Sequence, residues 1–226
     1  MMDQSRSSLN WSTGVALAVA LAGPPSLVAA SRGVFGDSPN LGAQTLIQVI
    51  FCALAVFVVV VVRRFERLPL RSIGLRRPRW STIATALLLT GVGFVLQALV
   101  TAPLVSAFGR EGADAGVARL AILPAWFRLF VAATSGVVEE TLYRGYAVER
   151  LAAITGRTWL GATLATVAFG AAHIPFWGFG FAVVADLPYG VLLVLFYLWR
   201  RDLLANMLGH SAALTVAFLT TVPWAV

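Results

Sequence analysis

Apolar runs long enough to cross a bilayer recur along almost the whole chain, and this limits the fold more than any other feature. A transmembrane helix needs about 20 apolar residues. Segments near 11–30, 44–62, 81–108, 120–145, 158–174, 181–199 and 203–222 qualify. Of the 226 residues, 59% are hydrophobic and only 12% are charged, too few to give a soluble domain its polar surface. The run lengths predict an all-α, polytopic transmembrane bundle of seven spans, or eight if the 181–199 segment breaks at Pro188. The first run has Arg6 ahead of it and "LVAAS" near its end, as a signal peptide would. The polytopic remainder favours a retained span. Two regions are expected: 1–69, the N-terminal spans with a basic loop, and 70–226, the core.

All 17 basic residues are arginine, and their placement sets the topology. The loop "RRFERLPLRSIGLRRPRW" holds Arg63, Arg64, Arg67, Arg71, Arg76, Arg77 and Arg79 against one acid, Glu66. The positive-inside rule makes this loop cytoplasmic. Alternating spans then place Arg150, Arg157, Arg200 and Arg201 on the same side, opposite "SRGVFGDSPN" and "GREGADAG". The formal charge of +7 is thus a topology signal, and no nucleic-acid partner is expected. Trp80, Trp126, Trp159, Trp199 and Trp224 fall near span ends, as interfacial anchors do. Cys52, the only cysteine, sits in "VIFCALAVFVVVVV" and reads as a small lipid- or helix-facing residue.

Against this background the stretch "GVVEETLYRGY" stands out. A charge at the bilayer centre costs about 2.5 to 3.5 kcal/mol, so Glu139, Glu140 and Arg144 need partners. Glu140 and Arg144 are four apart, acid first, the favourable order on a helix face. Glu139 lies about 100° round the helix, so it is a spare carboxylate. The chain's two histidines, His173 and His210, also lie in apolar runs.

The three residues fall at one depth. "ITGRTW" gives Gly156 as a helix stop, with Glu139 17 residues before it and His173 17 after. Antiparallel helices at about 1.5 Å per residue return His173 to the level of Glu139. Glu139 lies about 16 Å in from Arg150, and His210 about 14 Å in from Arg201. Phe169 shares a helix face with His173, and Asn206 with His210. A glutamate with two histidines suits activation of a water, with or without a metal. His-His-Glu is also a catalytic zinc ligand set, although the H-E-x-x-H helix of soluble zinc proteases is absent.

These motifs resemble the CAAX-processing and bacteriocin-processing (CPBP) family of intramembrane endopeptidases. Glu139, Glu140 and Arg144 match its EExxxR, Phe169 and His173 its FxxxH, and His210 its late-span histidine. "SIGLRRPRW" is similar to the lead-in of that family, and the resemblance covers about 70 to 220. It implies that Glu139 activates the attacking water and His173 helps to hold it. Glu140 and Arg144 form a supporting pair, and His210 completes the site by stabilising the oxyanion or holding a metal such as zinc. The family commonly has asparagine or aspartate four residues after that histidine, where this chain has Leu214. Asn206 is on the same face but about 12 Å along the axis from that position, and Ser211 and Thr215 are the other polar groups nearby.

The expected activity is hydrolysis of a membrane-associated protein or peptide by an integral protein of the bacterial cytoplasmic membrane. The alternatives are a catalytically inactive scaffold of the same fold, for which Leu214 speaks, and a proton-coupled transporter, against which the lack of inverted repeats speaks. Asp186 reads as a cap or helix-break residue before Pro188, with lining of the cavity as the alternative, and Arg128 as a snorkelling residue at the outer interface. "HIPFWGFGF" reads as a connection over the far end of the site, and Pro24-Pro25 as a kink in the first span.

Overall fold

The structure, a computed structural model, describes residues 11–36 and 40–221. Arg6, Trp224 and part of the "SRGVFGDSPN" loop lie outside the described residues. Among the described residues six long helical runs make up the fold, with a short 3-10 helix (Leu70–Ile73) between the second and third: α1 (Trp11–Phe35), α2 (Leu41–Phe65), α3 (Trp80–Ala121), α4 (125–155), α5 (Thr158–Arg200) and α6 (Leu203–Thr221). The expected all-helical architecture is present, and no strand occurs among the described residues.

Five of these helices, all except α4, are long and apolar enough to cross a membrane. This differs from the expected seven or eight for two physical reasons. First, α4 carries Arg128, Glu139, Glu140, Arg144, Glu149 and Arg150 in one run and so is not apolar enough. Second, the segments expected as separate spans at 158–174 and 181–199 are one helical run that changes direction at Gly178 (φ 80°, ψ 163°). The change of direction brings Gly190 against the Phe169 ring, 21 residues earlier.

Several local expectations are corrected. Helix α5 passes through Pro188 unbroken, with a π-helical stretch at Ala182–Asp186 before it. "HIPFWGFGF" is helical apart from Gly178 and packs on the end of α3, where Trp177 lies on Gly112 and Gly116. "GREGADAG" is the last part of α3 and not a loop. Pro24 and Pro25 lie inside an uninterrupted α1. Arg128 is buried and does not reach outward. Gly156 ends α4 in the left-handed conformation (φ 68°), as expected of a glycine stop.

One apolar core runs through the bundle. It includes Leu17 and Ala20 of α1, Val58 and Val62 of α2, Leu142 of α4, Phe169 of α5 and Leu203 of α6. Buried polar contacts tie the N-terminal helices to α4. Glu66, at the end of α2, receives Arg150 Nη2 at 2.6 Å, Tyr146 Oη at 2.8 Å and Thr13 Oγ1 at 3.0 Å. Burial pushes the Glu66 carboxyl up, but the Arg150 hydrogen bond and charge, with the two hydroxyls, outweigh it and hold the group below its ordinary range.

Candidate active site

The site forms where α4 changes pitch. The α-helical part ends at Glu139, and Glu140–Val148 is π-helical. Such stretches are rare and re-aim side chains, often at functional positions. Here the change falls between the two adjacent glutamates, which meet different partners.

Glu140 is fully buried and saturated. Its Oε1 lies 3.1 Å from Arg144 Nη1 and accepts His210 Nδ1–H at 3.0 Å, and its Oε2 accepts Asn206 Nδ2–H at 3.1 Å. Arg144 also donates to the carbonyl of Gly190 at 3.2 Å and lies 3.9 Å over the Phe169 ring. A buried ion pair needs this many partners to offset its desolvation. Asn206 spends its second N–H on the Leu193 carbonyl at 2.8 Å, so both its donors are engaged.

Glu139 is the spare carboxylate. Its Oε2 lies 3.8 Å from His173 Nε2 and 3.9 Å from His210 Nε2. Both imidazoles are oriented from behind. His173 Nδ1–H donates to the Phe169 carbonyl at 2.7 Å, and His210 Nδ1–H donates to Glu140. Because carbonyl and carboxylate oxygens only accept, Nδ1 carries a proton on both rings, and each Nε2 is the nitrogen that faces Glu139. Glu139 and His173 are partly exposed, at 18% and 19% of their side chains, whereas His210 is at 3%. A cavity of about 30 Å³, lined by Gln48, Phe51, Ser135, Val138 and Glu139, lies against the carboxylate. That is room for about one water.

All seven residues singled out from the sequence, Glu139, Glu140, Arg144, Phe169, His173, Asn206 and His210, are brought together. The polar alternatives near Leu214 are not all free. Ser211 donates to the Ala133 carbonyl at 3.1 Å, and Asn206 is committed to Glu140 and Leu193. Two neighbours, Tyr189 and Gln48, escaped sequence reasoning, and a third, Asp186, was expected chiefly as a cap. Asp186 makes no cap bond and keeps its buried Oδ2 without a hydrogen-bond partner. Tyr189 sits edge-on to His210, ring centroids 5.3 Å apart, with its buried hydroxyl unpartnered. Gln48 reaches the cavity from α2. An acid inside "FAVVADLPYG" was the same signal that picked out the glutamates.

Among the described residues no group of three or more His, Cys, Asp or Glu side chains is placed to hold a metal ion. The Glu139–imidazole separations exceed the roughly 3.4 Å between donors in a tetrahedral zinc site with bonds near 2.1 Å.

Residues 121–216 match the type II CAAX prenyl endopeptidase Rce1-like family. The similarity is with that segment alone. It contains every residue of the Glu139–Glu140 constellation and covers less than half of the chain, leaving α1, α2 and nearly all of α3 outside. No curated protein and no solved structure matches the chain. The apolar helices and the Rce1-like segment together make this an integral membrane protein.

Proposed function

We propose that the chain is an intramembrane endopeptidase that cleaves a peptide bond in a membrane-associated protein or peptide, in a bacterial cytoplasmic membrane. The observation that carries this reading is Glu139, a partly exposed carboxylate facing the Nε2 atoms of two pre-oriented imidazoles at 3.8 and 3.9 Å. The Rce1-like match supports the reaction class.

In this reading a water sits against Glu139 and the imidazoles. Glu139 takes one proton from the water, and the hydroxide adds to the scissile carbonyl carbon. The carbonyl oxygen becomes an oxyanion, for which the unpartnered hydroxyl of Tyr189 is the donor, in the absence of a free amide at Asn206 or a polar group at Leu214. The tetrahedral species collapses, the C–N bond breaks, and Glu139 returns its proton to the leaving amine. His173 and His210 hold the water through their Nε2 lone pairs. Glu140, Arg144 and Asn206 act through His210 and are positioning residues.

Zinc held by Glu139, His173 and His210 is the second reading. It is favoured by the engaged Nδ1 of each imidazole, the outer-shell pattern of metal-bound histidine. The donors as placed are too far apart for it, and no step is assigned to it. Hydrolysis of a quenched membrane peptide by the purified protein, parent against Glu139→Gln, tests the main reading. Equal rates would remove Glu139 as the base and favour an inactive scaffold.

A further inference from the structure

A second cavity lies at the arginine-rich end of the bundle, away from Glu139. It measures about 250 Å³ and is lined by Arg71, Ser72, Gly74, Arg76, Glu149, Tyr197 and Arg201. Three parts of the fold build it: the loop between α2 and α3, the C-terminal part of α4, and the end of α5. Gly74 (φ 78°) forms a tight wall, because a Cβ there would come within 2.7 Å of the Tyr197 ring. Arg201 holds the left-handed conformation (φ 48°), uncommon for a residue with a side chain, and pairs with Glu149.

The charges in this cavity do not cancel. Its one acid, Glu149, is taken by Arg201 and by Tyr197 Oη at 2.7 Å. The one acid of the adjoining loop, Glu66, is taken by Arg150. Among the described residues Arg71 and Arg76 have no ion-pair partner. The Ser72 hydroxyl, which lines the same cavity, is buried and has no hydrogen-bond partner. Two free guanidiniums and a hydroxyl donor around one open cavity suit a tetrahedral anion with several acceptor oxygens.

We propose that this cavity binds a phosphate group, namely the headgroup of an anionic lipid from the surrounding membrane. The arginine distribution puts the loop on the cytoplasmic side, at headgroup level. Basic pockets between transmembrane helices on that side suit anionic headgroups. The site stands whether or not Glu139 hydrolyses peptides, since it shares no residue with that centre.

The full-length protein in a non-ionic detergent is melted with phosphatidylglycerol, with phosphatidylcholine and with inorganic phosphate. Phosphatidylglycerol should raise the melting temperature saturably, and phosphatidylcholine should not. Arg71→Gln/Arg76→Gln should need at least tenfold more phosphatidylglycerol for half of the shift. Arg63→Gln/Arg64→Gln, which removes the same charge from the exposed end of α2, should behave as the parent does. If the double variant does not accumulate, Arg76→Gln alone carries the same expectation at several-fold. A shift by inorganic phosphate at comparable concentration would support the phosphate pocket and name soluble phosphate as its source. An equal response to the two lipids, or equal losses in both double variants, would overturn the proposal.

Discussion

Glu140 accepts the Nδ1 proton of His210 at 3.0 Å, so the histidine turns its Nε2 towards Glu139, 3.9 Å away. Two adjacent carboxylates thereby act at opposite ends of one ring. One fixes its tautomer, and the other shares its free nitrogen.

Glu139→Gln keeps the shape of the side chain but cannot take up a proton. The variant should fold and melt like the parent and lose hydrolysis by at least about 10²-fold. Glu111→Gln, on the exposed end of α3, should leave the rate unchanged. A Glu139→Gln enzyme within twofold of the parent in a peptide-cleavage assay would rule out the base assignment.

Arg144 is buried beneath Phe169 and against Glu140. Removing one partner of a buried pair leaves an uncompensated charge, at a cost of about 3 to 5 kcal/mol. Arg144→Ala should therefore lower the folded yield and the melting temperature as well as the activity, measured by size-exclusion recovery and a thermal scan. Unchanged recovery and melting would refute the supporting role.

Gly136 sets the distance between α4 and α6. A Cβ there would overlap Ser211 Oγ and lie 2.7 Å from its backbone nitrogen. Gly136→Ala should push α6 away and pull His210 off Glu139. Activity should fall at least tenfold, with a loss of thermal stability. Gly91→Ala, where a Cβ meets nothing within 4 Å, should do neither.

The Glu66 carboxyl is held below its ordinary value of 4.5, because Arg150, Tyr146 and Thr13 outweigh the effect of burial. A depressed carboxylate contributes stability that is complete above its unfolded value and is lost as pH falls through the folded one. The parent should therefore lose melting temperature as the pH drops below about 4.5. Glu66→Gln should melt lower at pH 7 and show a shallower acid loss. Parallel acid limbs in the two proteins would remove Glu66 as the source.

Elemental analysis of the purified protein addresses the zinc reading. The donor spacing leads us to expect less than stoichiometric metal and hydrolysis that survives a chelator. One zinc per chain, lost in His173→Ala and with activity restored on re-addition, would establish the metal reading instead.

The sequence by itself determined the helical, membrane-embedded class, because run length and charge scarcity leave no other way to satisfy the backbone. It also singled out the residues that the structure brings together. Charged and imidazole groups are costly in apolar runs, so Glu139, Glu140, Arg144, His173 and His210 were conspicuous, and counting about Gly156 placed Glu139 and His173 level. The i, i+4 spacing already paired Glu140 with Arg144 and left Glu139 spare; only the tertiary structure decided which distant groups each glutamate meets. Glu140 receives His210 and Asn206 and Glu139 faces both imidazoles, because α5 and α6 pack against α4, which no local periodicity registers. The direction change at Gly178, the burial of Arg128 and the free hydroxyl of Tyr189 likewise follow from packing between distant segments, which no local pattern encodes. Asp186 shows the limit from both sides. Its type and apolar setting marked it as unusual, but the burial of its Oδ2 without a partner depends on the packing of α5 beyond its change of direction at Gly178.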